Sequence, residues 1–93
     1  MSEEITATRN VVVINEGGLH TRAALSVARL VQQFDCRVEL VRSSQRAEAT
    51  DILQMLTLGA AAGTQLELEA NGLQAEQALD ALVKLFHDKF GED

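Results

Sequence analysis

The chain has 93 residues, is 46% apolar and carries a formal net charge of −6. That length is one domain, 1–93, able to bury roughly 60–65% of the surface its unfolded chain exposes. An acidic balance excludes a nucleic-acid binder, which needs a basic face.

The opening "MSEEITATRN" is polar and acidic with no apolar core segment, so no secretory signal is expected. Residues 9–15, "RNVVVIN", form a β-branched apolar run that reads as a central strand. Gly17 and Gly18 end it. From Thr21 to Phe34, Ala24, Val27, Ala28, Val31 and Phe34 keep helical spacing, with Arg29, Gln32 and Gln33 opposite. "CRVELVR" then alternates, Val38 and Leu40 against Arg37, Glu39 and Val41. "SSQ" reads as a turn and "RAEA" as a short edge strand. Thr50 and Asp51 are good cap residues before the apolar "ILQMLTL", and Gly59 closes that short helix. "TQLELEA" alternates with Leu66, Leu68 and Ala70 inward, and "NG" at 71–72 is a turn. The last helix carries Ala75, Ala78, Leu79, Leu82, Val83 and Phe86 on one stripe.

The order β-α-β-β-α-β-α leaves little room for right-handed crossovers throughout. It predicts an α+β open-faced sandwich, a four-stranded, mostly antiparallel sheet with three helices on one face. With only three aromatics, all Phe, the core must be built from Leu, Val, Ile and Ala. The single cysteine, Cys36, excludes an internal disulfide and fits a reducing compartment. It reads as a small buried hydrophobe. No stretch is apolar for long enough to span a bilayer. A cytoplasmic monomer without cofactor or metal is expected, since His20 and His87 have no supporting ligand cluster. The excess negative charge lies wholly in residues 51–93, where two lysines face eight acidic residues; residues 1–50 balance six against six. An anionic ligand or acidic partner would approach the first half more readily.

"EGGLHTRAAL", residues 16–25, is the chemically informative stretch. The first amides of a helix lack intrahelical partners and the macrodipole makes that end positive, so a helix mouth accepts anions, phosphate above all. His20 stands at or beside the cap, and Arg22 can offer its guanidinium to the same anion. Glycines let the backbone bend closely around the site. The set suits a histidine carrying a phosphoryl group, because neutral imidazole already has a lone pair and needs no general base. Taken on spacing alone, a plain cap and a solvated arginine would serve as well. A small α+β domain holding an anionic metabolite without a covalent bond is the alternative function.

"GLHTRAA" resembles the active-site signature of HPr, the histidine-containing phosphocarrier family of the bacterial phosphotransferase system. The resemblance continues through "EATDILQMLTLGAAAGTQLELEANG" along essentially the whole chain. The ending "LELEANGLQAEQALDALVKLF" is similar to the nitrogen-related regulatory branch. The resemblance implies that His20 is phosphorylated at Nδ1 and that Arg22 is its charge partner. It implies phosphoryl transfer from phosphoenolpyruvate-charged Enzyme I to an EIIA-type protein, in regulation or sugar uptake, by a stoichiometric relay rather than an enzyme. Asp51 corresponds to the family's regulatory serine; it is a helix cap or a built-in negative charge. Ile52, Leu53 and Leu56, flanked by Thr21, Leu25 and Arg29, are implied to form a partly exposed docking surface. Two departures stand out. Ala23 replaces the usual proline after the arginine, and Gly17 sits where a polar residue is common.

Overall fold

The computed structural model describes residues 6–92; residues 1–5 and 93 of the expected domain, with the start of "MSEEITATRN", lie outside the described residues. The elements run β1 (Thr6–Val12), α1 (Thr21–Val31), β2 (Arg37–Arg42), β3 (Gln45–Glu48), α2 (Ile52–Thr57), β4 (Gln65–Asn71) and α3 (Ala75–His87), followed by a 3₁₀ turn at Lys89–Gly91. The order matches the sequence expectation. The strands form one sheet in the spatial order β1-β4-β2-β3, antiparallel at every pairing.

Alternation in each strand becomes a continuous apolar face across the sheet because register aligns the inward residues. Val11 stands opposite Leu66. Leu68 lies opposite Leu40, which lies opposite Ala47 on its other side. Ala7 and Val38 flank Ala70. The helices close over this face with Ala24, Val27 and Val31 from α1, Met55 from α2, and Ala78, Leu79, Leu82 and Phe86 from α3, all buried. Each Leu or Phe so enclosed contributes roughly 1.5–3 kcal/mol relative to leaving it in water. On the solvent face, Glu39 and Glu69 stand directly opposite each other. Arg46 spans them, with Nη1 at 2.7 and 2.8 Å from their carboxylates.

Three expectations are corrected. β1 is an edge strand, paired only with β4 among the described residues, and not central. Its valine run suggested burial on both faces, yet only alternate residues are covered: Val11 and Val13 are buried, while Val12 and Ile14 stay 41% and 45% exposed. The pairing also begins earlier and stops at Val12, after which the chain turns toward the glycines. α1 ends at Val31 rather than Phe34, because residues 32–34 curl in a turn with Gln33 and Phe34 amides donating to Leu30 and Val31 carbonyls. Cys36 precedes β2 and is half-buried, not enclosed. Its thiol is pushed up from its ordinary value by burial and by neighbouring Asp35, which makes it a poor nucleophile.

Arg42 ties the sheet to α2. Its Nη1 donates to the carbonyls of Leu58 (2.5 Å) and Gly59 (3.1 Å), so a cation satisfies the last carbonyls of a short helix. The start of the loop beyond α2 is thereby held against the end of β2.

Candidate functional site

The mouth of α1 is built by a tight turn. The Gly18 amide donates to the Asn15 carbonyl, and the Leu19 amide donates to the Ala60 carbonyl at 2.9 Å. Gly18 has a φ of +69°, and a Cβ there would lie 2.7 Å from the Ala60 oxygen, so both conformation and space require glycine. A Cβ on Gly17 would lie 2.8 Å from Cδ2 of His20. The missing side chain therefore leaves one edge of the imidazole open. Leu19, 5% exposed, anchors the turn in the core, and the chain emerges with His20 at the surface.

His20 is the N-cap of α1. Its backbone is extended, its carbonyl accepts from the Ala24 amide at 2.8 Å, and its Nδ1 accepts from the Arg22 amide at 3.2 Å. An imidazole nitrogen is performing the task usually given to Ser, Asp or Asn. Accepting that bond requires a lone pair on Nδ1, which places the proton of a neutral ring on Nε2. The Thr21 and Ala23 amides find no protein acceptor among the described residues. The Arg22 guanidinium is exposed and makes no hydrogen bond or ion pair among them. A lone pair, unpartnered helix amides and an uncommitted guanidinium thus converge on one exposed spot. The geometry suits a tetrahedral anion attached to, or resting beside, Nδ1.

Sequence reasoning missed two residues of this site. Glu92 lies just past the 3₁₀ turn, and its Oε2 sits 2.5 Å from His20 Nε2. Its Oε1 accepts from Asn15 Nδ2 at 3.2 Å. Asn15 is 1% exposed and also donates from Nδ2 to the Gly18 carbonyl at 2.8 Å. Asn15 looked like the end of a strand and Glu92 like acidic tail. An asparagine next to two glycines was the one available signal, since that residue type often bonds its own turn.

The other singled-out residues fall on neighbouring elements. Asp51 is the N-cap of α2. Its Oδ1 accepts from the Gln54 amide and its Oδ2 from the Gln54 side chain, both at 3.1 Å, while Gln54 Oε1 accepts from the Glu48 amide. Thr50 does not take the cap. Ile52 and Leu56 are half-buried against the core, and Leu53 is 75% exposed. α1 and α2 touch; Thr21 and Arg29 are exposed and Leu25 half-buried, and their four-residue spacing puts the three on one face of α1. His87 is exposed in the last turn of α3, where its charged form suits the helix dipole.

An antiparallel open sheet thus lies under three helices, with a histidine capping the first of them beside an exposed arginine. Residues 7–88 match the family model described as "PTS HPr component phosphorylation site". The chain belongs to this HPr family, on its nitrogen-related NPr branch. It is 40% identical over 91 residues to phosphocarrier protein NPr of Escherichia coli K12, covering 96% of this chain and all of that one. It is 34% identical to phosphocarrier protein HPr of Treponema pallidum, covering 91% and 97%. Among solved structures, HPr-C-His from Thermoanaerobacter tengcongensis superposes with a TM-score of 0.85 at 29% identity, covering 99% of both chains.

Proposed function

We propose that this phosphotransferase-system carrier accepts its phosphoryl group on Nδ1 of His20 from phosphoenolpyruvate-charged Enzyme I and delivers it to an EIIA-type protein. The observation that carries the reading is the Nδ1 lone pair, aimed at the start of α1 by the Arg22 amide and set beside the unpartnered Arg22 guanidinium. In transfer, the lone pair forms the new N–P bond. The bond from phosphorus to the donor breaks, and its electron pair leaves with the donor. The Arg22 amide then turns from Nδ1 to a phosphoryl oxygen, joined by the Thr21 and Ala23 amides and the guanidinium. Each charge-assisted contact of this kind is worth about 1.5–3 kcal/mol. Glu92 lies against the Nε2 edge of His20, and the side chain stays 36% exposed. Exposure suits a group that two partners must reach in turn.

Leu53, with Ile52, Leu56 and Leu25 around it and Thr21 and Arg29 at the rim, is the docking surface in this reading. An exposed leucine with a polar border fits a transient interface, and Arg29 would steer an acidic partner. Asp51 serves α2 as a cap. The activity belongs in the cytoplasm, where phosphoenolpyruvate is made and used.

The test is incubation with Enzyme I and phosphoenolpyruvate, followed by intact mass at alkaline pH. The expected result is the added mass of one phosphoryl group, labile in acid and absent in His20→Ala. A metabolite bound without a covalent bond leaves the mass unchanged. Unaltered phosphoryl uptake by His20→Ala would refute the assignment of the acceptor.

A further inference from the structure

The backbone after α3 takes an unusual path. Lys89, Phe90 and Gly91 have φ values of 55°, 57° and 82°, three successive left-handed residues of which two are not glycine. Side-chain sterics disfavour that conformation, so something must hold it. Phe90 does: it is 7% exposed and packs edge-to-face on Phe86 with ring centroids 4.8 Å apart. The Gly91 and Glu92 amides donate back to the carbonyls of Asp88 and Lys89, closing the turn. The turn has one evident result. It points the Glu92 carboxylate inward, where Oε1 accepts from buried Asn15 and Oε2, buried and without a hydrogen bond among the described residues, lies 2.5 Å from His20 Nε2.

We propose that Glu92 is a positioning residue for phosphoryl transfer, acting through His20; the proposal rests on the carrier reading above. The carboxylate's negative charge, 2.5 Å from Nε2, favours the ring proton there, while the Arg22 amide meets the lone pair on Nδ1. The ring is thereby biased at both nitrogens toward the tautomer that can attack phosphorus. When Nδ1 takes the phosphoryl group, the N–P bond forms and the donor leaves with its electron pair. The Nε2 proton stays in place, so the ring becomes positive, facing the negative Glu92. On delivery the N–P bond breaks, its pair returns to Nδ1, and a neutral imidazole departs. No proton moves in either direction. Without a carboxylate at Nε2, the phosphorylated ring would shed that proton more readily and would then have to leave as an anion, a far poorer leaving group. Asn15 is the brace: it fixes the carboxylate while tying itself to the Gly18 carbonyl, which links the tail to the histidine turn.

The experiment combines the NMR spectrum of the unphosphorylated protein with transfer kinetics, for wild type, Glu92→Ala and Glu92→Gln. The wild type should show a downfield Nε2–H proton protected from solvent exchange, which Glu92→Ala loses and Glu92→Gln, still an acceptor, keeps. Onward transfer from the phosphorylated carrier should slow about tenfold in Glu92→Ala, the worth of one charge-assisted hydrogen bond. Glu92→Gln should fall between, since it keeps the reach and loses the charge; it also carries the rate test if the alanine variant loosens the tail. Absence of the protected proton in the wild type overturns the proposal. So do transfer rates in both variants equal to wild type. If His20 takes up no phosphoryl group at all, the carrier reading fails instead, and the proton signal still reports on the clamp.

Discussion

Replacing Arg22 by alanine should damage transfer far more than folding. In the resting protein the guanidinium is exposed and bonds to no described residue, so the fold has nothing to lose beyond the few tenths of a kcal/mol typical of a surface substitution, about 0.5 at most. The phosphorylated protein is different. Phosphohistidine brings about two negative charges to the start of α1. The helix amides can meet some of its oxygens, and Arg22 stands exposed in the same first turn. Losing one charge-assisted contact of about 1.5–3 kcal/mol corresponds to roughly 10- to 150-fold in the phosphoryl equilibrium with Enzyme I. Arg22→Lys should fall between, because an ammonium supplies charge without the planar fork. Rapid-quench transfer in both directions gives the kinetic effect, the equilibrium phosphoryl distribution gives the thermodynamic one, and thermal melting run in parallel gives the folding cost. Forward and reverse rates within about twofold of wild type would remove Arg22 from the site, since a lost contact of this class cannot be so small.

Gly18→Ala should destabilise the protein by on the order of 1–3 kcal/mol through left-handed strain and collision with the Ala60 carbonyl, and should weaken phosphoryl uptake with it; a melting temperature equal to wild type would contradict the geometry. Asp51→Ala should cost about 1 kcal/mol as a lost cap, whereas Asp51→Ser should keep most of that stability. Affinity of Asp51→Ser for Enzyme I and an EIIA-type protein should equal that of wild type at low and high salt; a salt-dependent change would instead place the carboxylate in the docking surface. The Arg46 hydrogen bonds hold the Glu69 carboxyl below its ordinary value of 4.5. That contribution is complete above the unfolded value and is lost as pH falls through the lower folded one. In Arg46→Ala the opposed Glu39 and Glu69 repel each other, so acidification should relieve the variant while it weakens the wild type. Parallel stability curves for the two proteins between neutral and acid pH would refute this.

The element order, the inward faces of β2 and β4 and the helix mouth with its histidine were legible in the sequence because each is encoded locally. Alternation in "QLELEA" states which side chains share a face whatever the strand lies beside. Asp51 before an apolar stretch, and glycines before a histidine, announce helix starts from a few neighbouring residues. The position of β1 in the sheet is not local: "VVVI" pairs equally well at an edge or in the centre, and the outcome depends on β4 accepting β1 on one side and β2 on the other. The last part of the site is farther still from local reading. Glu92 is one carboxylate in an acidic tail with no periodicity to interpret. It reaches His20 only because Phe90 finds the core beside Phe86, and burying that ring holds the backbone in a conformation the tail would not adopt alone. Contacts between residues so far apart in sequence are chosen by packing, and packing exists only once the sheet and helices have assembled.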